Sequence, residues 1–172
     1  MKAVFIDRDG VINKEKGYIY KIEDFEFIDG VFTSFKYLKN KGFNLIIVTN
    51  QSGINRGYYN EEDFNIINDW MLDKFKANSI HILDVLYCPH KPEDNCICRK
   101  PKTGMFDKAH DKYQIDKNNS WMIGDKESDI KAALNFGIKN TILVESGHKF
   151  DKKNSTAKFI LPSINEVVDC IS

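Results

Sequence analysis

Six short apolar runs punctuate the chain: AVFI at 3–6, LIIVT at 45–49, ILDVLYC at 82–88, WMIG at 121–124, TILV at 141–144 and KFIL at 158–161. Rich in β-branched and aromatic residues and bounded by polar segments, they predict buried strands. Between them apolar residues recur at helical spacing. Residues 30–41 place Val31, Phe35 and Leu38 on one stripe, with Gly42 as the terminator. Residues 60–78 open with a capping asparagine and two glutamates, then carry Phe64, Ile67, Met71 and Phe75 on one face. Further helices are predicted over 104–113, 127–136 and 163–171. Strand and helix in alternation predict the α/β class, a doubly wound parallel sheet in three α/β/α layers. The least regular segment is 88–103.

Composition narrows this picture. A chain of 172 residues matches one ordinary domain with a real core. Lys plus Arg number 25 and Asp plus Glu number 25, so the net field gives no general attraction for nucleic acid or anionic membranes. Asp7 cuts the opening apolar run well short of a signal-peptide core, and no later run reaches membrane-spanning length. The expectation is a cytoplasmic protein, a monomer by default. In that reducing setting the four cysteines are thiolate ligands or core residues rather than disulfides.

In an open parallel sheet, ligands gather at the carboxyl ends of the strands. The chemically capable residues fall there. In FIDRDGVIN (5–13), Asp7 and Asp9 follow the first strand; Thr49 and Asn50 end the second, Cys88 ends the third, and Asp125 follows the fourth. At least three carboxylates would share one crevice, and they repel unless protonated or neutralised by a hard cation such as Mg²⁺. Thr49, Asn50, Gln51 and Ser52 add hydroxyl, amide and backbone donors, and Arg99 and Lys100 add positive charge. Such a set suits a phosphoryl group, whose transfer is catalysed mainly by positioning and charge neutralisation. One carboxylate attacking phosphorus would give an aspartyl phosphate, with the other as acid and base.

With DRDG at 7–10, VTN at 48–50, Lys100 and GDKESD at 124–129 in this order and spacing, the chain resembles the haloacid dehalogenase (HAD) superfamily of phosphatases. The match extends to the sugar bisphosphate phosphatases of its histidinol-phosphatase-like branch through GY (17–18), FEFIDGV (25–31), KGF, VTNQSGINRG (48–57), CPHKP (88–92) and CICRKP (96–101). These segments lie between residue 3 and about residue 147. The resemblance implies that Asp7 is the nucleophile and Asp9 the acid/base. It implies that Asp7, the Asp9 carbonyl and Asp125 hold Mg²⁺. Thr49 and Lys100 would stabilise the phosphoryl group, with Arg99 recognising a sugar bisphosphate substrate. EKGY (Glu15, Lys16, Gly17, Tyr18), TNQS (Thr49, Asn50, Gln51, Ser52) and Lys126 match further substrate contacts, with Glu15 standing where the family pattern has Asp. A single helix fills the gap between the first two strands, leaving no room for a cap domain. NQSGINRG and the Arg99–Lys100 pair favour the sugar bisphosphate over histidinol phosphate, the alternative substrate.

A second constellation lies in CPHKPEDNCICRKP. Cys88, His90, Cys96 and Cys98 form C-x-H and C-x-C arms, a soft donor set for a closed, structural tetrahedral Zn²⁺ site. Arg99 and Lys100 follow the last ligand directly, so the metal would brace the loop that carries both cations.

Each assignment has a plainer competitor. An isolated DxDG is more often a turn, and Asp125 could cap the next helix; four motifs in order reverse the balance. Asp129 is expected to be structural, Cys170 to be core, and His81, His110 and His148 to be surface or satisfied histidines without a role. Two further classes compete. A phospho-signalling receiver would carry its acceptor aspartate on a middle strand, where this chain has none after the third. A zinc-knuckle nucleic-acid binder would need a basic stripe that the balanced charge does not supply.

Overall fold

A computed structural model describes residues 1–171. Six parallel strands form one sheet: β1 (Ala3–Ile6), β2 (Asn44–Asn50), β3 (Ile82–Cys88), β4 (Trp121–Gly124), β5 (Asn140–Val144) and β6 (Phe159–Leu161). Their spatial order is β3-β2-β1-β4-β5-β6. This is the doubly wound order 3-2-1-4-5-6, distinct from the 2-1-3-4-5 order of receiver folds, which removes the receiver alternative.

Four α-helices cover the sheet among the described residues: α1 (Val31–Asn40), α2 (Glu61–Ala77), α3 (Gly104–Tyr113) and α4 (Glu127–Phe136). Because side chains along a strand alternate between faces, β1 divides its apolar residues between two cores. Val4 and Ile6 pack with Val31, Phe35 and Leu38 of α1 and with Ile67, Met71 and Phe75 of α2. Ala3 and Phe5 pack on the other face with Met105, Phe106 and Ala109 of α3 and with Ala132, Ala133 and Phe136 of α4.

Local chemistry sets the helix ends. Lys41 caps α1, and Gly42 follows at φ +81°. The Asn60 side chain accepts from the Asp63 N–H at 2.8 Å, and Asp63 accepts from the Asn60 N–H at 3.0 Å, a reciprocal cap on α2. The helix predicted over 163–171 is instead a short 3-10 helix, Ile164–Asp169. Ile164 and Val167 are buried on the three-residue spacing that a 3-10 turn superimposes, and two adjacent valines weaken the α alternative.

The register places the site. Ile6 of β1 pairs with Ile47 on one side and Ile123 on the other, so the carboxyl ends of β1, β2 and β4 reach the same edge. The chain order reverses beside β1, and a crevice opens where the loops after β1 and β4 part. Between β1 and β2 lie a 3-10 turn at Ile22–Asp24 and α1, with no inserted domain over that crevice. Among the described residues no helix is long and apolar enough to cross a membrane.

Candidate active site

Asp7 is the first residue beyond β1. Its N–H donates to the Ile123 carbonyl at 3.0 Å, which ties it to β4. One carboxylate oxygen, Oδ1, receives the Arg8 N–H at 2.8 Å and lies 3.1 Å from Lys100 Nζ. The same ammonium lies 2.6 Å from Asp129 Oδ1 and donates to the Val48 carbonyl at 2.7 Å. Burial disfavours the Lys100 charge, but Asp129 and Asp7 outweigh it and hold the pKa well above the usual lysine range. Burial pushes the Asp7 carboxyl well up; Asp129, Asp125 and Asp9 push in the same direction against Lys100.

Asp125 lies directly after β4 and is fully buried. Its Oδ2 accepts from the His148 N–H at 2.9 Å and lies 2.6 Å from His148 Nδ1, whereas its Oδ1 is buried with no hydrogen-bond partner. Burial and the nearby Asp129 raise its pKa, opposed by the His148 bonds. The backbone closes tightly around it. A Cβ at Gly10, which sits at φ +86°, or at Gly147 would run into the Asp125 carboxylate.

Oxygens of Asp7, Asp125 and Asp129 lie within 4.8 Å of one another. Hard carboxylate donors at that spacing, one with an orphaned oxygen, fit a divalent cation such as Mg²⁺. Two of the participants contrast with the sequence reading. Asp129 does act as a helix cap, accepting the Lys126 N–H at 3.0 Å through Oδ2, but its Oδ1 also completes the acidic cluster. His148, expected to be without a role, stands on Asp125 and lines the crevice. The second aspartate of GDKESD was a readable signal; His148 had none, because its position depends on how the turn after β5 folds back.

Asp9 is held from three sides. Its Oδ1 accepts from Arg8 Nη2 and Asn13 Nδ2, each at 3.0 Å, and its Oδ2 accepts from Gln51 Nε2 at 2.9 Å. Burial would raise its pKa, but the Arg8 charge and these hydrogen bonds outweigh it, so the carboxyl sits below its ordinary value. Arg8 itself is 1% exposed, with its guanidinium between the rings of Phe25 and Phe64.

These groups face a cavity of about 380 Å³, within the range of small-molecule sites. Of the expected substrate contacts, Glu15, Gly17, Tyr18, Asn50, Gln51, Ser52, Arg99, Lys100 and Lys126 line it. Thr49 lies beneath the lining, 1% exposed, and receives Gln51 Nε2 at 2.8 Å. Lys16 is not brought in; its ammonium pairs with Glu26 at 3.2 Å. Arg56, Tyr59 and Ser128 also line the cavity. Tyr18 and Tyr58 meet edge to face at the rim, with centroids 4.7 Å apart.

Beside the crevice, Cys88 Sγ, His90 Nδ1, Cys96 Sγ and Cys98 Sγ converge: Cys88–Cys98 at 2.9 Å, Cys88–Cys96 at 3.6 Å and His90–Cys98 at 3.3 Å. The cysteines are free thiols, and three sulfurs with one imidazole suit a closed Zn²⁺ site. Burial pushes the Cys88 thiol far up, so a cation is what would favour its thiolate. The loop is built into the crevice wall. The Arg99 N–H donates to Cys96 Sγ at 3.4 Å, and its guanidinium donates to the His90 carbonyl at 3.3 Å.

An acidic cluster with a buried ammonium, at the switch point of a 3-2-1-4-5-6 sheet and beside an uncapped polar cavity, defines a phosphatase of the HAD class. A HAD-hydrolase-like family model matches residues 97–167. The curated D-glycero-alpha-D-manno-heptose-1,7-bisphosphate 7-phosphatase of Campylobacter jejuni is 51% identical, over 86% of this chain and 85% of its own length. The Helicobacter pylori D-glycero-beta-D-manno-heptose-1,7-bisphosphate 7-phosphatase is 46% identical over 83% of each. Among solved structures, D,D-heptose 1,7-bisphosphate phosphatase from B. bronchiseptica, complexed with magnesium and phosphate, aligns with a TM-score of 0.86 at 26% identity, covering 99% of this chain and 97% of that one. The chain belongs to the heptose-1,7-bisphosphate 7-phosphatase family of the HAD superfamily.

Proposed function

We propose that the chain removes the 7-phosphate of D-glycero-D-manno-heptose 1,7-bisphosphate, with Mg²⁺ bound, to leave the heptose 1-phosphate used in nucleotide-activated heptose synthesis. The observation that carries this reading is the placement of Asp7 beside Lys100, Asp125 and Asp129 at the open sheet edge, in a chain about half identical to a phosphatase of that name.

An Asp7 carboxylate oxygen attacks phosphorus, forming an O–P bond as the bond from phosphorus to the sugar oxygen breaks. The Lys100 ammonium, already on Asp7, lies where charge develops on the phosphoryl oxygens. The departing sugar oxygen takes a proton from Asp9. Water then attacks the aspartyl phosphate, giving its proton to Asp9 and releasing inorganic phosphate. Against the upward push of burial, the Arg8 charge and the bonds from Asn13 and Gln51 hold the Asp9 carboxyl below its ordinary value, toward the form that accepts a proton in the second step. Mg²⁺, held by Asp7, the Asp9 carbonyl and Asp125, would supply charge that lets these carboxylates ionise together and accept a phosphate. Thr49 and Arg99 complete the phosphoryl and substrate contacts. Zn²⁺ on Cys88, His90, Cys96 and Cys98 would be structural, fixing the loop that presents Arg99 and Lys100.

The test is phosphate release with Mg²⁺ from the α and β heptose bisphosphates and from histidinol phosphate, side by side, for the unaltered chain and Asp7→Asn. Preferred turnover of a heptose bisphosphate, abolished in Asp7→Asn, is the expected result. Ordinary activity in Asp7→Asn removes the nucleophile, and faster turnover of histidinol phosphate removes the substrate.

A further inference from the structure

Gln51 is expected to touch substrate, yet both ends of its amide are already engaged by the protein. Its NH₂ donates to Asp9 Oδ2 at 2.9 Å and to Thr49 Oγ1 at 2.8 Å. Its Oε1 accepts from the Tyr59 hydroxyl at 2.5 Å and from Arg8 Nη2 at 3.4 Å. Gln51 is 3% exposed.

An amide has a donor end and an acceptor end, and its surroundings decide which way it sits. Here they decide it from both sides. A guanidinium only donates, so Arg8 requires the Gln51 oxygen; an ionised carboxylate only accepts, so Asp9 requires the NH₂. Arg8 Nη2 is shared with Asp9 Oδ1 and the Ile19 carbonyl, at 3.0 and 2.9 Å, which leaves the Tyr59 hydroxyl as the short contact on Oε1. That hydroxyl has a fixed address. Tyr59 is 6% exposed and stacks on Tyr20 with centroids 5.1 Å apart, and a Cβ at Gly53 would strike its ring.

We propose that Tyr59 and Arg8 are positioning residues for the phosphatase reaction, acting through Gln51 to fix the acid/base carboxylate of Asp9 and the hydroxyl of Thr49. The inference rests on the roles of Asp9 and Thr49 given above. Two consequences follow from the direction of the bonds. The Asp9 carboxylate cannot rotate without breaking a contact on one of its oxygens. Thr49, whose oxygen already accepts from Gln51, has its hydroxyl hydrogen left for an outside acceptor, such as a phosphoryl oxygen. Losing the tyrosine hydroxyl leaves only the 3.4 Å Arg8 contact on the amide oxygen, so the side chain keeps its orientation but is held less firmly against Asp9 and Thr49.

The experiment is a kinetic cycle of Tyr59→Phe, Gln51→Leu and the double variant, on the heptose bisphosphate at saturating Mg²⁺. Tyr59→Phe keeps the ring and its stacking, so thermal unfolding should stay near that of the unaltered protein. Its kcat should fall about tenfold with KM changed less than about twofold, a smaller loss than the 10²–10³ seen when a donor on the reacting oxygen is removed. In the Gln51→Leu background the same change should lower kcat less than about twofold further, because the coupled element is already gone. A Tyr59→Phe enzyme with unaltered kcat overturns the proposal. So does a rise in KM that persists undiminished in Gln51→Leu, which would make Tyr59 a direct substrate contact. Absence of turnover in the unaltered chain overturns the phosphatase reading and this proposal with it, whereas a normal unaltered enzyme beside a normal Tyr59→Phe overturns this proposal alone.

Discussion

The Asn50 side-chain amide and the Lys100 backbone exchange two hydrogen bonds: Nδ2 donates to the Lys100 carbonyl at 3.2 Å, and the Lys100 N–H donates to Oδ1 at 3.1 Å. A residue at the end of β2 thereby sets the position of a cation 50 places further on, in the segment between β3 and α3. Asn50 is thus the structural partner of Lys100 as well as part of the cavity wall. Asn50→Ala should lower kcat by about tenfold, less than loss of the ammonium itself, because Lys100 Nζ keeps its bond to Val48. Steady-state kinetics on the folded variant check this, and an unchanged kcat would separate the two residues.

Lys100→Ala removes the charge between Asp7 and Asp129. Turnover should fall by roughly 10² to 10³, the scale of one lost preorganised charge partner at a reacting group. Two buried carboxylates would also lose their counter-charge, so the variant should unfold at lower temperature. Activity and calorimetric unfolding measured on one preparation test both statements.

His148 grips Asp125 twice, through its backbone N–H and its ring. His148→Ala keeps the first bond and loses the second. Orienting partners of metal ligands typically tune affinity, so Mg²⁺ binding by isothermal titration should weaken about tenfold while kcat at saturating Mg²⁺ changes little. Unchanged Mg²⁺ affinity would mean that the ring merely covers the site.

With Zn²⁺ on the proposed Cys88, His90, Cys96 and Cys98 site, removing the metal should loosen the 88–103 loop and carry Arg99 away from the cavity. Structural zinc can supply on the order of 10 kcal/mol of ordering, far more than the single Asn50–Lys100 clasp. Protein shown by metal analysis to be zinc-free should have a raised KM and more protease cleavage within the loop. Normal kinetics from such protein would refute a bracing role.

Asp84, on β3, accepts from Tyr113 at 2.8 Å, Lys112 at 3.0 Å and the Val85 N–H at 2.9 Å. Burial would raise its pKa, but the bonds from Lys112 and Tyr113 outweigh it and the value is lowered. A lowered folded pKa stabilises above the unfolded carboxyl's value of about 3.9, and the contribution is lost as pH falls through the folded value. The Lys112 side chain is 59% exposed and screened, so about 1 kcal/mol is the expected scale. Asp84→Asn should lower the unfolding temperature by about 2–4 °C at pH 7, and the difference should shrink as pH falls below the unfolded carboxyl's value of about 3.9. A difference that persists in acid would show that the charge is not its source.

Strand positions, helix faces and the alternation that makes a doubly wound sheet were legible in sequence because each depends on local spacing of apolar residues. All four α-helices and six strands lie within a residue or so of the apolar patterning. The C-terminal 3-10 helix was not, since a six-residue apolar pattern fits either helix type and packing against α1 decides between them, with the Ser34 hydroxyl donating to the Ile164 carbonyl at 2.9 Å. The acidic motifs, the lysine and the Cys/His arms were visible because their spacing is set by loop chemistry, and the family followed from their order.

What the sequence by itself determined is therefore the list of reactive groups and the strand ends that carry them. Tertiary structure alone decided which groups touch: that Asp129 joins Asp7 on one ammonium, that His148 closes over Asp125, that Lys16 turns away to Glu26, and that Gln51 is spoken for by Tyr59 and Arg8. Those contacts join residues from separate loops, and their geometry comes from the sheet register and the close backbone approach at Gly10 and Gly147, neither of which has a local signature.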